Sequence, residues 1–375
     1  MGRATVWELA RQGHLVRLLE RDATAARAIA ARYGGGRATV SVVESAAPEA
    51  LAAAMRGAAV VVNCAPYALN IAAMEAALAA ECHYLDLGGL FHTTRRQLRM
   101  DRRFRDASLL AVIGMGSAPG VSNVLARAGA AAMARVHAIR VYNGGADFTR
   151  YDAPVAFGFS PGTVLDELTL PPVVFRAGRF RKAAPLSGAE DVAFELGVQK
   201  VHLSLHSEVA TLPLSYAAKG LRECFFKIAY DPVLIERLTL LAALGLADRT
   251  PGAHGVAPRD VLLECFRRLP PPPAFIDDRD TLAVIVDGED HRGPMTVRHD
   301  VTAYPQRRPP LSAVARHTGF VPAVVAGMIL DGTIRSRGVR PPERCVPVAP
   351  LLAALAARGM PVRVTVTRAL RPFAC

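Results

Sequence analysis

The segment 58–89 constrains the fold most, because it reads as a strand, a helix and a second strand in direct succession. Residues 58–62 are apolar and largely β-branched, and small apolar residues then repeat at helical spacing over 70–80. A second short apolar run, 83–87, ends at two glycines. This pattern predicts a right-handed βαβ unit of a parallel sheet. Ligands of such sheets bind beyond the carboxyl ends of the strands, so we expect the chemistry at these two strand ends.

The alternation of elements predicts the domain organisation. Helices and strands alternate over residues 1–124, which predicts a doubly wound, Rossmann-type α/β domain. Residues 125–310 hold short strand-like runs and many prolines, as in an inserted α+β substrate and dimerisation domain. The helical pattern returns over 311–375, which we expect to rejoin the first domain. Gly319 and Pro322 lie inside its first helix and are expected to break it.

Composition and charge narrow the classes of function. The chain of 375 residues is 51% hydrophobic and 21% charged, and Arg, Pro or Gly interrupts each apolar run before it reaches membrane length. With no signal peptide visible, we expect a cytoplasmic protein without a membrane partner. The net charge of +12 comes from scattered arginines without interleaved aromatic residues, so we expect anionic small-molecule ligands and no nucleic acid. The six cysteines form no CxxC pair, which predicts free thiols and no metal site.

The first residues match the end of a dinucleotide-binding motif. Gly2 stands where the third glycine of G-x-G-x-x-G is expected, and Glu20 lies where an acidic residue would bind the ribose. The sequence as given therefore begins within the motif, and we expect the sheet to lack its first strand, with low stability and weak dinucleotide binding as consequences. Glu20 favours NAD, whereas Arg21 could pair with the 2′-phosphate of NADP, so either cofactor remains open.

Several stretches together resemble one family. They are VVVNCAPYALNIAAMEAALAAECHYLDLGG, GSAPGVSNVLA, VYNGG, HSEVATLP and GVRPPERCVP. In this order they resemble the saccharopine dehydrogenase family, and within it the lysine 6-dehydrogenase type. The resemblance implies a Rossmann domain, a substrate domain whose mixed sheet often dimerises, and a nicotinamide cofactor. It also implies hydride transfer at a C–N bond of an amino acid or a polyamine.

The resemblance assigns roles to residues at the strand ends. Tyr67 and Asp86 are expected to flank the nicotinamide and the reacting carbon, where a proton must move as an amine becomes an imine. Asp86 could instead cap the turn that follows it, and Tyr67 could simply pack. The expected cofactor-binding residues are Gly2, Glu20, Arg21, Asn63, Cys64, Ala65, Pro66, Gly88 and Pro119. We interpret Cys64 as a closely packed small residue, since hydride transfer needs no nucleophile.

The middle of the chain supplies candidate substrate contacts. His206 is a third candidate catalytic residue, and Glu208 and Arg222 are expected to form a polar group with it. An arginine there suits a substrate carboxylate, although a solvated strand end would explain the same pattern. Asn143, followed by two glycines, could let the backbone approach the substrate or could form a hairpin turn.

Three functions remain open. The leading interpretation is an NAD(P)-dependent oxidoreductase acting on lysine or a lysine-derived amino acid, in a homodimer. A second is a polyamine enzyme of the carboxynorspermidine or homospermidine synthase kind. A third is a non-catalytic member of the family with an incomplete cofactor site.

Overall fold

The computed structural model describes residues 1–252 and 255–368. Cys375 lies outside these residues, and the five described cysteines are free. The helices are α1 (Gly2–Arg11), α2 (Ala23–Tyr33), α3 (Pro48–Met55), α4 (Asn70–Ala79), α5 (Leu90–Leu98), α6 (Asp101–Asp106), α7 (Val121–Ala131), α8 (Pro161–Thr169), α9 (Glu208–Tyr216), α10 (Pro232–Ala243), α11 (Pro258–Arg267), α12 (Ala313–Leu330), α13 (Pro342–Cys345) and α14 (Val348–Ala356). The strands are β1 (Val16–Glu20), β2 (Ala38–Val42), β3 (Val60–Asn63), β4 (His83–Asp86), β5 (Leu110–Val112), β6 (Arg135–Asp147), β7 (Val173–Arg176), β8 (Arg179–Lys182), β9 (Glu190–Phe194), β10 (Gly197–Leu203), β11 (Glu223–Ile228), β12 (Asp278–Asp290), β13 (Gly293–Ala303), β14 (Gln306–Arg307), β15 (Pro310–Leu311), β16 (Gly338–Arg340) and β17 (Arg363–Arg368).

The first unit is built on parallel strands. Four of them form a sheet in the order β16-β5-β4-β3, and β1 and β2 form a separate parallel pair. Helix α4 connects β3 to β4, so the predicted βαβ unit is confirmed. Among the described residues no strand joins β1 to β3. The unit is therefore a Rossmann-type domain whose sheet lacks its first strand within the described chain.

The second unit is built on a mixed sheet of nine strands. Its central order is β17-β13-β12-β6-β11-β10-β9, and β7 and β8 extend from β11. Strands β6 and β11 run parallel, and the other paired strands run antiparallel. Most of this unit lies in sequence between β5 and β16 of the first unit. The predicted insertion of an α+β domain into the doubly wound domain is therefore confirmed.

The C-terminal segment divides between the two units. Strand β16 pairs with β5 in the parallel sheet, as expected for a segment that rejoins the first domain. Strand β17 instead pairs with β13 at the edge of the mixed sheet, where Arg368 forms an ion pair with Asp290. The last described strand thus belongs to the second unit, which differs from the predicted boundary at 311–375.

Helix α12 connects the cores of both units. It is long and apolar enough to cross a membrane, but 72% of that apolar window is buried inside the molecule. The predicted break at Gly319 and Pro322 is wrong, because the helix is continuous from Ala313 to Leu330. The Thr5 hydroxyl donates a 2.9 Å hydrogen bond to the Gly319 carbonyl, in the turn before the proline. The carbonyl that Pro322 leaves without its helical N–H partner is that of Thr318. The packing of α1 on this turn, with the Trp7 ring stacked on Phe320 at 5.3 Å, accompanies the unbroken helix.

Candidate functional site

Hydrogen bonds of Asp86 connect the carboxyl ends of the parallel strands β4 and β5. It ends β4 and is fully buried. Its Oδ1 accepts hydrogen bonds from the backbone N–H groups of Gly88 (2.9 Å) and Gly114 (2.7 Å), and its Oδ2 accepts from the Gln97 carboxamide. Burial raises the pKa of Asp86, while these donors lower it in part. Asp86 therefore caps the turn that follows it, which was the alternative interpretation of this residue. Its contacts hold in place the edge of the sheet at which ligands of such folds bind.

Pro119 forms the floor of this edge. A Cβ atom at Gly88 would lie 2.8 Å from Pro119 Cγ, and one at Gly114 would lie 2.9 Å from it. Gly88 also has a φ of 126°, which L side chains rarely adopt. Two of the predicted cofactor-binding residues, Gly88 and Pro119, are therefore in direct contact, with no room for side chains between the strand ends.

His206 lies at the same edge. The neighbouring Ser207 hydroxyl accepts a 3.2 Å hydrogen bond from the Gly89 backbone N–H, which fixes this turn against the end of β4. The His206 ring stacks on Phe226 at a centroid distance of 3.7 Å, and its Nδ1 is hydrogen-bonded to the Glu208 carboxylate. Since a carboxylate can only accept, Nδ1 carries the proton. Among the described residues, the bond at Nδ1 is the one hydrogen bond found for the His206 ring, which leaves Nε2 for a ligand.

Glu208 holds the imidazole in place. It is fully buried at the start of α9, and its second oxygen accepts a 2.7 Å hydrogen bond from the Ser122 hydroxyl. Both oxygens are therefore engaged by protein groups. The sequence pattern grouped Glu208 with His206 as a substrate contact, and the structure confirms that the two side chains meet. Its burial places Glu208 behind the histidine, where it orients the ring.

Glu167 adds a second titratable carboxyl to this cluster. It lies buried on α8 and accepts a hydrogen bond from the Tyr230 hydroxyl. Burial raises the pKa of Glu167 to about 7, against the opposing effects of His206 and Tyr230. Burial lowers the pKa of His206, but the charges of Glu208 and Glu167 outweigh it, so that the net pKa lies above the ordinary value. The cluster can therefore hold or release a proton near neutral pH.

Tyr67 contacts a second charged cluster rather than the first. It follows β3 and donates a 2.7 Å hydrogen bond to Asp166 of α8. The same buried carboxylate pairs with Arg249 at 2.6 Å and with Arg259 at 2.9 Å. Burial and the neighbouring Asp166 raise the pKa of the Tyr67 phenol, which is therefore protonated at neutral pH. Two guanidinium groups on one carboxylate leave a surplus of positive charge, and the Arg249 side chain is 55% exposed.

The other residues at the end of β3 that were predicted to bind the cofactor make contacts within this turn and with α1. Asn63 donates a 3.0 Å hydrogen bond to Asn70 and accepts from the backbone N–H of Ala65 at 3.1 Å. Burial raises the pKa of Cys64, whose sulfur lies 3.6 Å from the Thr5 hydroxyl, as a closely packed thiol would. Pro66 precedes the short 3-10 turn that begins at Tyr67.

The first unit fits a dinucleotide at two places. A Cβ at Gly2 would lie 3.5 Å from Cys64 Cβ, so the N-terminal turn of α1 lies against the end of β3. A helix N-terminus in this position attracts the pyrophosphate through its free N–H groups and its dipole. Glu20 ends β1 and is exposed, and one of its carboxylate oxygens accepts a 2.8 Å hydrogen bond from the Arg21 backbone N–H. Its other oxygen is open to accept from a ribose hydroxyl, while the Arg21 side chain is exposed beside it.

Two substrate contacts predicted from the sequence lie elsewhere. Arg222 is exposed just before β11, and its backbone N–H is bonded to the His137 carbonyl. Phe226 lies four positions further along the chain, which is about 13 Å of strand. Arg222 therefore does not join the His206 cluster. Asn143 is not in a hairpin turn, because β6 continues through it to Asp147, and its carboxamide is bonded to Asp280 at 3.1 Å.

Sequence reasoning missed several polar residues of this region. Asp166, Glu167 and Arg249 were passed over, although two adjacent acids in the apolar helix pattern VLDEL were a visible signal. His317 was also missed, because it lies within the apolar α12. Its Nδ1 is 2.7 Å from Asp280 and 3.1 Å from the Ser117 hydroxyl, and its buried Nε2 has no hydrogen-bond partner in the described part of the chain. Within the described ranges no group of His, Cys, Asp or Glu side chains has the geometry of a metal site.

Comparison with known proteins covers nearly the whole chain. Residues 1–112 match the family described as saccharopine dehydrogenase NADP binding domain, and residues 116–360 match the saccharopine dehydrogenase C-terminal domain. The structure resembles apo saccharopine dehydrogenase (L-Glu forming) from Saccharomyces cerevisiae with a TM-score of 0.73 and 15% identity, over 98% of each chain. At this identity the likeness shows the fold.

Two further solved structures are more distant. A mutant meso-DAPDH with DAP from Clostridium tetani E88 has a TM-score of 0.39 and 10% identity, over 91% of this chain and 98% of its own. The C. glutamicum DAP dehydrogenase in complex with DAP has a TM-score of 0.41 and 12% identity, over 92% and 99%. These scores are too low to support an argument. The two family matches, which together span both structural units, establish that the chain belongs to the saccharopine dehydrogenase family of nicotinamide-dependent oxidoreductases.

Proposed function

We propose that this protein transfers hydride at the C–N bond of lysine or of a lysine-derived amino acid. The observation that supports this most is the position of His206 at the end of β4, with Nδ1 held by Glu208 and Nε2 without a protein partner among the described residues. A nicotinamide cofactor would supply the hydride acceptor. The chain's own residues would then bind the amine, orient it and accept its proton.

His206 is the proposed proton-transfer group. Oxidation of an amine to an imine releases a proton from nitrogen, and a fixed imidazole with a free Nε2 can accept it. Glu208 stabilises the imidazolium that results, as does the neighbouring Glu167. This role extends the sequence interpretation of His206, and it leaves Asp86 and Tyr67 as supporting residues of the strand ends.

Arg249 is the proposed partner of the substrate carboxylate, in the place that the sequence interpretation gave to Arg222. It is half-exposed, and it shares the carboxylate of Asp166 with Arg259. A substrate carboxylate could replace Asp166 in one of these pairs without leaving a buried charge alone. Planar guanidinium groups bind carboxylates through paired hydrogen bonds, which also fixes the orientation of the substrate.

The cofactor is proposed to be NAD. The open oxygen of Glu20 suits the ribose hydroxyls and would repel a 2′-phosphate. The matched family description names NADP, and Arg21 would support that choice. Titration of both oxidised cofactors into the purified protein distinguishes them. We expect tighter NAD, and NADP binding about tenfold tighter, or about 1.4 kcal/mol, would overturn the assignment.

A polyamine substrate is the second candidate. Glu167 is the feature that favours it, because its carboxyl group lies close enough to His206 to raise the pKa of the imidazole, and carboxylates bind ammonium groups. A diamine carries no carboxylate, so its binding would not depend on Arg249. A non-catalytic role is the third, and it predicts no turnover with any amine.

The mixed sheet is the proposed site of self-association. We propose a homodimer formed through the mixed sheet, in the cytoplasm, with small-molecule ligands and without nucleic acid or membrane partners. The dimer proposal rests on the family resemblance and on the size of this sheet.

Substitution of His206 tests the proposal directly. The change His206→Gln removes the titratable ring, and His291→Gln at an exposed position serves as the control. We expect kcat with the amine substrate to fall by about 10²-fold or more in H206Q, with unchanged cofactor binding. An H206Q protein that folds, binds cofactor and retains full kcat would show that the proton leaves by another route.

A further inference from the structure

A pocket lies beyond the edge strand β16 of the parallel sheet, away from the candidate active site at the carboxyl ends of the strands. Its volume is about 430 Å³, which is within the range of small-molecule sites. Helices α5 and α6 form one side, and α9 and α13 form the other. The His206 turn, Tyr67 and Arg249 do not line it. This space is therefore distinct from the candidate active site.

Two arginines give the pocket its charge. Arg344 donates from Nε to the Ser215 hydroxyl at 3.0 Å and from Nη2 to the Ser215 carbonyl at 2.7 Å. Both acceptors are neutral groups of Ser215. Arg340 pairs with Asp101 at 3.1 Å, but Asp101 also pairs with Arg105. One carboxylate thus serves two guanidinium groups, whereas Arg344 has no ion-pair partner among the described residues.

The nearest other acid does not cancel this surplus. Glu343 adjoins Arg344 in sequence, but its side chain is buried and accepts from Asn123 and from the Ser215 hydroxyl, each at 2.8 Å. Burial raises the pKa of Glu343, which favours its neutral form. Counting Arg105, Arg340 and Arg344 against Asp101 and Glu343 leaves at least one positive charge at the pocket.

The walls of the pocket are apolar. Leu98 and Leu214 line it together with Val339 and Pro341. Leu214 is 49% exposed, although it is a large aliphatic side chain on a well-formed helix. A ligand body that covers Leu214 removes the exposed part of this side chain from water, which stabilises the bound state.

We propose that this pocket binds a small carboxylate with an apolar body, with the carboxylate on Arg344 and the body on Leu98 and Leu214. Arg344 retains donors that Ser215 does not use, and a guanidinium accepts a carboxylate in a paired geometry. The site is independent of the hydride-transfer proposal, because it shares no residue with the cleft.

Calorimetric titration of the full chain with sodium hexanoate tests this proposal. We expect a dissociation constant of about 1 mM or tighter, with sodium acetate and hexylamine at least about tenfold weaker because each lacks one of the two features. Arg344→Gln should weaken hexanoate about tenfold or more, whereas Arg102→Gln, an exposed arginine of α6, should leave it unchanged.

Further variants separate this site from the cleft and from misfolding. Leu214→Glu keeps the arginines and places a negative charge on the exposed wall, so it should also abolish hexanoate binding, even if Arg344→Gln fails to fold. Arg249→Gln should have no effect. Absence of hexanoate binding, binding that survives Leu214→Glu and Arg344→Gln, or binding lost only in Arg249→Gln would overturn the proposal.

Discussion

The phenol of Tyr67 and the carboxylate of Asp166 form a 2.7 Å hydrogen bond that connects the first unit to the second across the cleft. Tyr67 follows a strand of the parallel sheet, and Asp166 lies on α8 of the inserted unit. The two residues are separated by 99 positions in the sequence. This contact brings the end of β3 close to the arginine pair that we propose for the substrate carboxylate.

Removal of the Tyr67 hydroxyl should weaken substrate binding more than it lowers the stability of the fold. In Tyr67→Phe, Asp166 keeps both arginine partners, so we expect the free energy of unfolding to fall by only about 1 kcal/mol. We expect KM for the amino acid to rise severalfold with little change in kcat. Urea unfolding and steady-state kinetics measure the two quantities. A large loss of kcat with unchanged KM would instead assign Tyr67 to the chemical step.

Glu167 should make stability depend on pH. Its pKa rises from the ordinary value of 4.5 to about 7 on folding, so its contribution to stability is complete below pH 4.5 and is lost as pH rises towards 7. A shift of this size corresponds to about 3 kcal/mol. Glu167→Gln can still accept from Tyr230 but cannot titrate.

Urea unfolding at pH 5 and pH 7.5 measures this contribution. Wild-type protein should lose more stability between these values than Glu167→Gln, and the difference between the two proteins isolates Glu167 from other titrating groups. Identical pH dependence in both proteins would mean that Glu167 is ionised throughout this range.

Substitution of Arg249 and of Arg222 should have different effects on substrate binding. Arg249→Gln should raise KM for a carboxylate-bearing substrate by about tenfold or more, because it removes the proposed ionic partner. The exposed Arg222→Gln serves as a matched control and should have a KM near that of wild type. Kinetics on both variants measure this, and the reverse result would restore the interpretation drawn from the sequence.

The quaternary structure needs a separate measurement. Sedimentation velocity at micromolar concentration should show a dimer if the mixed sheet mediates self-association. A monomer across this concentration range would remove the dimer from the account without affecting the site.

The sequence predicted the parts of the site that depend on local pattern. The strand ends at Asn63 and Asp86 follow from short apolar runs, and the pairing of His206 with Glu208 follows from their spacing of two residues. Arg249 could not be placed in this way, because its contact with Asp166 depends on how the α10–α11 segment folds back over α8. Arg222 was expected beside His206 because the two are near in sequence. Nearness in sequence does not reveal at which end of β11 a side chain lies, and Arg222 lies at the end away from His206.

Helix continuity shows the same dependence on tertiary contacts. Pro322 predicted a break in α12, but α1, more than 300 residues away in sequence, packs on this turn through the Thr5 hydroxyl at Gly319 and the Trp7 ring at Phe320. The position of β17 depends likewise on its pairing with β13, for which the local sequence carries no signal.

The central claim is amine oxidation at the His206 edge of the parallel sheet, and reduction of the cofactor measures it most directly. Purified protein is incubated with NAD or NADP and with L-lysine, saccharopine or a diamine, and the reduced nicotinamide is followed by absorbance. We predict reduction with L-lysine or saccharopine, little with the diamine, and loss of activity in His206→Gln. Equal or preferred reduction with the diamine, or no reduction with any amine by a protein that binds the cofactor, would contradict this account.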